Sequence, residues 1–174
     1  AMEVAGFGGN TKFLKPTAEV TMYFRQTRML SFGFRARGEY IWPYGDTQTL
    51  PIFELLTLGG EFSLRGFDIR SVGPSDPATG LVIGGNKSLL FNAEYLISIA
   101  DPVRIIFFYD TGQVADFGDP FGMDGFRTST GAELRFFMPV LNVPFRLIYA
   151  WNPQRQGVLN DRFGPQEATV FKFA

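Results

Sequence analysis

Arg65 is the residue with the most chemistry to offer. It stands in the run Gly59-Gly60-Glu61-Phe62-Ser63-Leu64-Arg65-Gly66-Phe67, where glycines on both sides let the backbone turn sharply and approach other backbone closely. Leu64 and Phe67 flank the arginine and would bury its stem. A planar fork of donors presented this way suits a carboxylate held in a confined place. The plainer alternative for the motif is a surface hairpin tip with a solvated arginine. Three carboxylates further along, Glu94, Asp110 and Glu133, could be offered as a catalytic set. The sequence has no histidine and no cysteine, which removes the commonest general base, the commonest transition-metal ligand and all thiolate chemistry. Hydrolases that activate a serine or a water through histidine are therefore a poor fit. No catalytic residue, no metal site and no cofactor is expected.

The elements that must position Arg65 read as strands. The motif lies in a turn-rich loop, about 43–85, and a loop of that length without structure of its own is usually functional. On either side the polarity alternates with period two. A short strand is expected at 2–8, ending in a Gly8-Gly9-Asn10 turn, and a clear one from Thr17 to Arg25. After a tight turn at Gln26–Arg28, Leu30, Phe32, Phe34, Ala36 and Tyr40 oppose Ser31, Gly33, Arg35, Arg37 and Glu39. From Lys87 to Ser98, Leu89, Phe91, Ala93, Tyr95 and Ile97 oppose a face with Asn92 and Glu94. The pattern recurs in 103–114, in 126–137, in 145–151 and, after a loop at 152–167, in 168–173. Connections alternate between short (26–28, 139–144) and long (43–85, 116–125), and the 174 residues read as one domain.

The distribution of charge decides what kind of sheet this is. Formal net charge is −1, so no basic field points to nucleic acid. No apolar run approaches the ~18 residues of a membrane helix, yet there are 20 Phe, 6 Tyr and 2 Trp. One face of every strand is apolar and aromatic almost without charge. The other carries Arg35, Arg37, Glu39, Glu94, Arg104, Asp110, Arg127, Glu133, Arg135, Arg146 and Lys172 beside small residues. A soluble sandwich would have to bury those ions in a dry core, at several kcal/mol each if unpaired. A transmembrane barrel with lipid outside and a packed polar lumen avoids that cost, and lipid also requires a closed barrel.

With the strands placed, the loop resembles the conserved loop of the BamA superfamily of outer-membrane assembly factors and two-partner secretion transporters, whose core is Val/Ile-Arg-Gly-Phe/Tyr, here Leu64, Arg65, Gly66 and Phe67. Val72-Gly73-Pro74, Gly84-Gly85-Asn86, Phe108-Tyr109-Asp110-Thr111-Gly112-Gln113-Val114 and Phe171-Lys172-Phe173 resemble further family segments in the same order. The resemblance implies an all-β, antiparallel transmembrane barrel of about eight strands, similar to the C-terminal half of a sixteen-stranded barrel. A fragment or half-barrel is expected, without the periplasmic POTRA domains. It implies that the loop folds into the lumen, hinged at Gly59, Gly60, Gly84 and Gly85, and that Arg65 pairs with Glu94 and Asp110. Both acids fall on the charged face of consecutive strands, and a guanidinium between them would relieve their repulsion. It implies an outer-membrane location in contact with lipid and nascent outer-membrane proteins as clients. These would pair with the last-strand edge (Val170, Phe171, Lys172, Phe173). Accessory lipoproteins, the POTRA domains and the N-terminal half are the other expected partners. The rival readings are a two-partner-secretion transporter and a structural or pore barrel without insertase activity.

Overall fold

The computed structural model describes residues 2–5, 11–47, 49–140 and 143–174, and they build one antiparallel sheet. Its strands are β1 (Met2–Ala5), β2 (Phe13–Arg25), β3 (Leu30–Tyr40), β4 (Trp42–Pro43), β5 (Lys87–Ala100), β6 (Val103–Ala115), β7 (Arg127–Met138), β8 (Val143–Gln154) and β9 (Thr169–Phe173). Spatial order follows chain order, β1-β2-β3-β5-β6-β7-β8-β9, with β4 continuing the line of β3 against β2. The connections follow the expected rhythm. At one short turn the N–H groups of Gln26 and Thr27 both donate to Leu30 O (3.0 and 3.1 Å), and Leu30 N–H donates to the Thr27 hydroxyl.

Two strands run beyond their period-two signal. β2 begins at Phe13 rather than Thr17, because Lys15 and Pro16 break the alternation but still pair with β1. β8 continues to Gln154 through Asn152 and Pro153, residues whose turn propensity marks them as loop. The register slips there between Thr128 and Thr130 of the facing strand, and a bulge is where a sheet tolerates proline. The expected Gly8-Gly9-Asn10 turn lies outside the described residues, as do Leu141 and Asn142 of the 139–144 turn.

Register turns the alternation into two surfaces. One rung runs Phe32, Tyr95, Phe107, Ala132, Tyr149, Phe171 across six strands. Phe107, Tyr149 and Phe171 in it are half or more exposed, and no water-facing sheet would display such a row. Nearer the short turns Phe136, Phe145 and Phe173 stack at 5.3 and 5.6 Å. This is the lipid-facing belt. The neighbouring rung, pointing the other way, runs Gly33, Glu94, Phe108, Gly131, Ala150, Val170.

The inner surface corrects one expectation, that of a polar lumen throughout. Charged groups are concentrated in the middle and on the short-turn side, among the buried Ile106, Phe108, Ile148 and Ala150. Towards the long loops the interior is an apolar core of Phe13, Ile41, Leu50, Leu56, Leu58, Leu64, Phe67, Val72, Leu90, Val114 and Val158. Leu90 faces inward with the charges yet is only 2% exposed, because Leu56, Leu58, Leu64 and Phe67 of the long loop provide its partner surface. Burial of each such side chain contributes about 1.5–3 kcal/mol, so the loop is held by its own core as well as by charge. The sheet wraps the loop: Arg35 in β3 donates to Phe62 O (3.1 Å), and Lys172 in β9 donates to Phe67 O.

The two surfaces should respond differently to a charge. Leu134 lies in the belt opposite Ile105 and Leu147. Leu134→Arg is expected to cost about 2–4 kcal/mol near the bilayer midplane, measured by refolding titration in lipid. The lumen-facing Thr21→Glu, opposite Arg35, should cost well under half of that, and equal costs would mean that the faces are misassigned.

Candidate functional site

The site is built where three strands offer a carboxylate each and the loop offers one guanidinium. Glu94 (β5) lies opposite Phe108 (β6), while Asp110 (β6) lies opposite Asn92 and Ser129. Glu133 (β7) lies opposite Ile106 and Ile148. The acids therefore occupy three successive inner rungs on three adjacent strands and surround the Phe108 ring. The Arg65 guanidinium sits over that ring, its carbon 4.3 Å from the centroid, a cation–π contact strengthened by exclusion of water.

Every polar face of the arginine is used. Nε lies 3.0 Å from Asp110 Oδ2, Nη2 donates to Glu94 Oε1 and to Asp110 Oδ1 (3.2 Å), and Nη1 donates to Glu133 Oε2 (3.1 Å). Its backbone N–H donates to Asp110 Oδ2 at 3.2 Å. Asp110 and Glu133 are fully buried and Arg65 is 3% exposed. One guanidinium cannot balance three carboxylates. Arg146 does so from β8, donating to both oxygens of Glu133 (2.6 and 2.9 Å), and Arg135 adds a third bond at 2.9 Å. Three arginines and three acids thus form a neutral cluster, the arrangement that low-dielectric surroundings require. A cavity of about 450 Å³ opens on its short-turn side between Arg35, Phe62, Glu94, Arg135 and Arg146.

The rest of the motif is gripped through its backbone. Gly66 N–H donates to the Ser129 hydroxyl (2.9 Å), while Gly66 O accepts from Asn152 Nδ2 (2.9 Å) and Gln166 Nε2 (3.2 Å). A side chain on Gly66 would overlap the Ser129 hydroxyl and the Asn152 amide, whose carbon would lie 2.8 Å from a Cβ. Asn92 Nδ2 donates to Ser63 O and to Asp110 Oδ1, both at 2.8 Å. Leu64 and Phe67 are completely buried in the apolar core.

The expected pairing of Arg65 with Glu94 and Asp110 is present, although the two acids stand diagonally rather than side by side. Glu133 completes the set; it shares their parity, and only the register shows that it is within reach of the same guanidinium. Gly59 and Gly60 take positive φ (115° and 96°) at the loop tip, where Gly60 N–H donates to Phe67 O (3.0 Å). They close the tip instead of hinging the loop. Gly84 and Gly85 are at its base, where Gly85 bridges Leu56. Of the last-strand residues, Lys172 faces inward and Phe171 and Phe173 face lipid. Ser129, Asn152 and Gln166 carry no sequence signal, since uncharged polar residues suit a strand, a loop or a lumen alike. Among the described residues no group of acids is arranged to hold a metal ion.

Loss of the guanidinium should unseat the loop without dismantling the sheet. Arg65→Ala is expected to raise protease cleavage within 44–86 while strand content by circular dichroism stays close to wild type. Arg65→Lys should rescue only in part, because an ammonium keeps the charge and loses the fork. Double-mutant cycles with Asp110→Asn should show coupling of about 0.5–3 kcal/mol, larger than with Glu94→Gln, since Asp110 receives two side-chain contacts. Gly66→Ala should reproduce the protease phenotype with all charges in place.

Comparison with known proteins places this architecture. The Omp85 superfamily domain matches residues 1–173. The outer membrane protein assembly factor BamA of Nitratidesulfovibrio vulgaris is 30% identical over 154 residues, 86% of this chain and 19% of that protein. The BamA of Neisseria meningitidis serogroup B is 28% identical over 122 residues, 66% of this chain and 15% of that one. The crystal structure of BamA from Haemophilus ducreyi lacking POTRA domains 1–3 superposes with a TM-score of 0.77 at 22% identity, covering 99% of this chain and 37% of that structure. The chain spans about a fifth of the length of the curated relatives it matches. With its lipid-facing belt, its inner wall and its loop seated on three carboxylates, the chain belongs to the Omp85 superfamily and is a stretch of outer-membrane β-barrel wall.

Proposed function

We propose that the protein containing this chain folds and inserts other outer-membrane proteins, and that it does so without enzymatic chemistry. The observation that carries the reading is the similarity to proteins named outer membrane protein assembly factor along 86% of the chain. The physical features are consistent with it. Among the described residues β9 pairs with β8 alone, so within them no strand covers the outer edge of Thr169–Phe173. Such an edge is a template for another strand. Nascent outer-membrane proteins are the clients in this reading, and accessory lipoproteins and POTRA domains are proposed as further partners.

A passive pore is the rival that the interior disfavours. The loop fills the lumen with an apolar core and a neutral ionic cluster, leaving little water path through that part of the wall. The test is reconstitution of the full-length protein in liposomes with an unfolded outer-membrane barrel protein as client. Folding is read by the heat-dependent gel shift of the client. Faster insertion than in protein-free liposomes is expected, and Arg65→Ala should slow it severalfold. Steady porin-like conductance in planar bilayers, with client folding at the lipid-only rate, would overturn the proposal.

A further inference from the structure

The loop motif does more than fill the lumen, because three successive residues after Arg65 are bonded to the C-terminal segment. Gly66 O accepts from Gln166 and from Asn152, and Asn152 Nδ2 also donates to Glu167 O (3.1 Å). Phe67 O accepts from Lys172 Nζ. Asp68 divides its carboxylate: Oδ1 lies 3.1 Å from Lys172 Nζ, and Oδ2 accepts the Asp161 N–H at 3.1 Å. One acid thus holds the final strand and the loop that leads into it.

The strand that it holds is a short one at one end of the described sheet. β9 has five paired residues, Leu147↔Phe173 to Trp151↔Thr169, and no other strand neighbour among the described residues. A short strand with one neighbour has fewer backbone bonds to break on local opening than a central strand paired on both sides. Lys172 is its charged inward anchor; opposite lies Ile148, which offers it no polar partner. The Lys172 side chain is 21% exposed and that of Asp68 27%, enough shielding for the pair to outweigh an ordinary surface ion pair.

We propose that Asp68 and Lys172 are positioning residues that latch the terminal strand to the lumen loop, so that seating of the loop sets how firmly β9 is held as a pairing edge. The latch rests on the insertase reading only for its purpose. Its existence is a statement about β9 alone. A seated loop holds β9 against β8 in fixed register. A displaced loop removes the Phe67 carbonyl and the Asp68 carboxylate together and leaves only backbone pairing with β8, extended at its ends by Asn152 N–H on Ala168 O and the two Arg146–Ala174 bonds, to hold the strand.

Hydrogen exchange of the β9 and β8 amides, in the full-length protein reconstituted in bilayers, decides between outcomes. Asp68→Ala and Lys172→Met should each raise exchange at Thr169–Phe173 by about tenfold, with little change in β5–β6, as for a local opening. The double variant should be no worse than either single one, because the two act as a unit. The exchanged pair Asp68→Lys with Lys172→Asp should restore part of the protection, a rescue that mere loss of packing would not show. Arg65→Ala should loosen β9 as well, through the loop. Unchanged β9 exchange in both single variants, or additive effects without rescue by the swap, would overturn the latch. Crosslinking of a client strand to Val170 tests the functional reading separately. Loosened β9 amides with no client crosslink would leave the latch standing and remove the insertase reading. A crosslink with β9 exchange insensitive to Asp68 would do the reverse.

Discussion

One buried guanidinium organises this wall. Arg65 is withdrawn from water almost entirely, and a charge in that position is tolerable only if it is matched and fully hydrogen-bonded. The sheet matches it with three acids around an aromatic floor, and the excess negative charge is returned to zero by Arg135 and Arg146. Removing either side leaves the other with unmatched charge. Without the loop, Asp110 keeps only the Asn92 amide among its side-chain partners, and without the acids the loop has no reason to carry an arginine into the barrel.

Charge supplies direction and the apolar core supplies adhesion. The ionic cluster fixes where the motif sits, since a planar fork over Phe108 admits few orientations. The surrounding Leu56, Leu58, Leu64, Phe67 and Leu90 contribute burial that is indifferent to orientation. The division explains why the motif couples arginine with Leu64 and Phe67 and places a glycine between them. Gly66 is where the backbone must pass between Ser129 and Asn152 with no side chain to spare.

Much of this was legible in the sequence, and the rest was not, for physical reasons. Period two identifies a strand and its two faces without any tertiary knowledge, so the belt, the inward parity of Glu94 and Asp110 and the bounds of the long loop could all be read. Which charges meet is a matter of register. The sequence placed Glu133 on the correct face, but only the pairing Ile106↔Glu133 puts it two rungs from Asp110. Asn152 was hidden for another reason. Its local preference is for a turn, and the bulge at Thr128–Thr130 lets the strand continue through it. The apolar half of the lumen was hidden because Leu90 is an exception to its face until the loop's own leucines are brought against it.

The spacing of the loop contacts along the chain bears on the order of events in biogenesis. Phe67 meets Lys172 across 105 residues, Gly66 meets Gln166 across 100 and Asn152 across 86, and Arg65 meets Glu133 across 68. Hairpin pairings between neighbouring strands close short loops and form early, whereas contacts of this separation carry a larger closure entropy and form late. A newly made chain can therefore zip its strands in sequence with the loop still outside. Locking of the loop waits until β9 has joined β8, so the motif is seated only after this stretch of wall has formed.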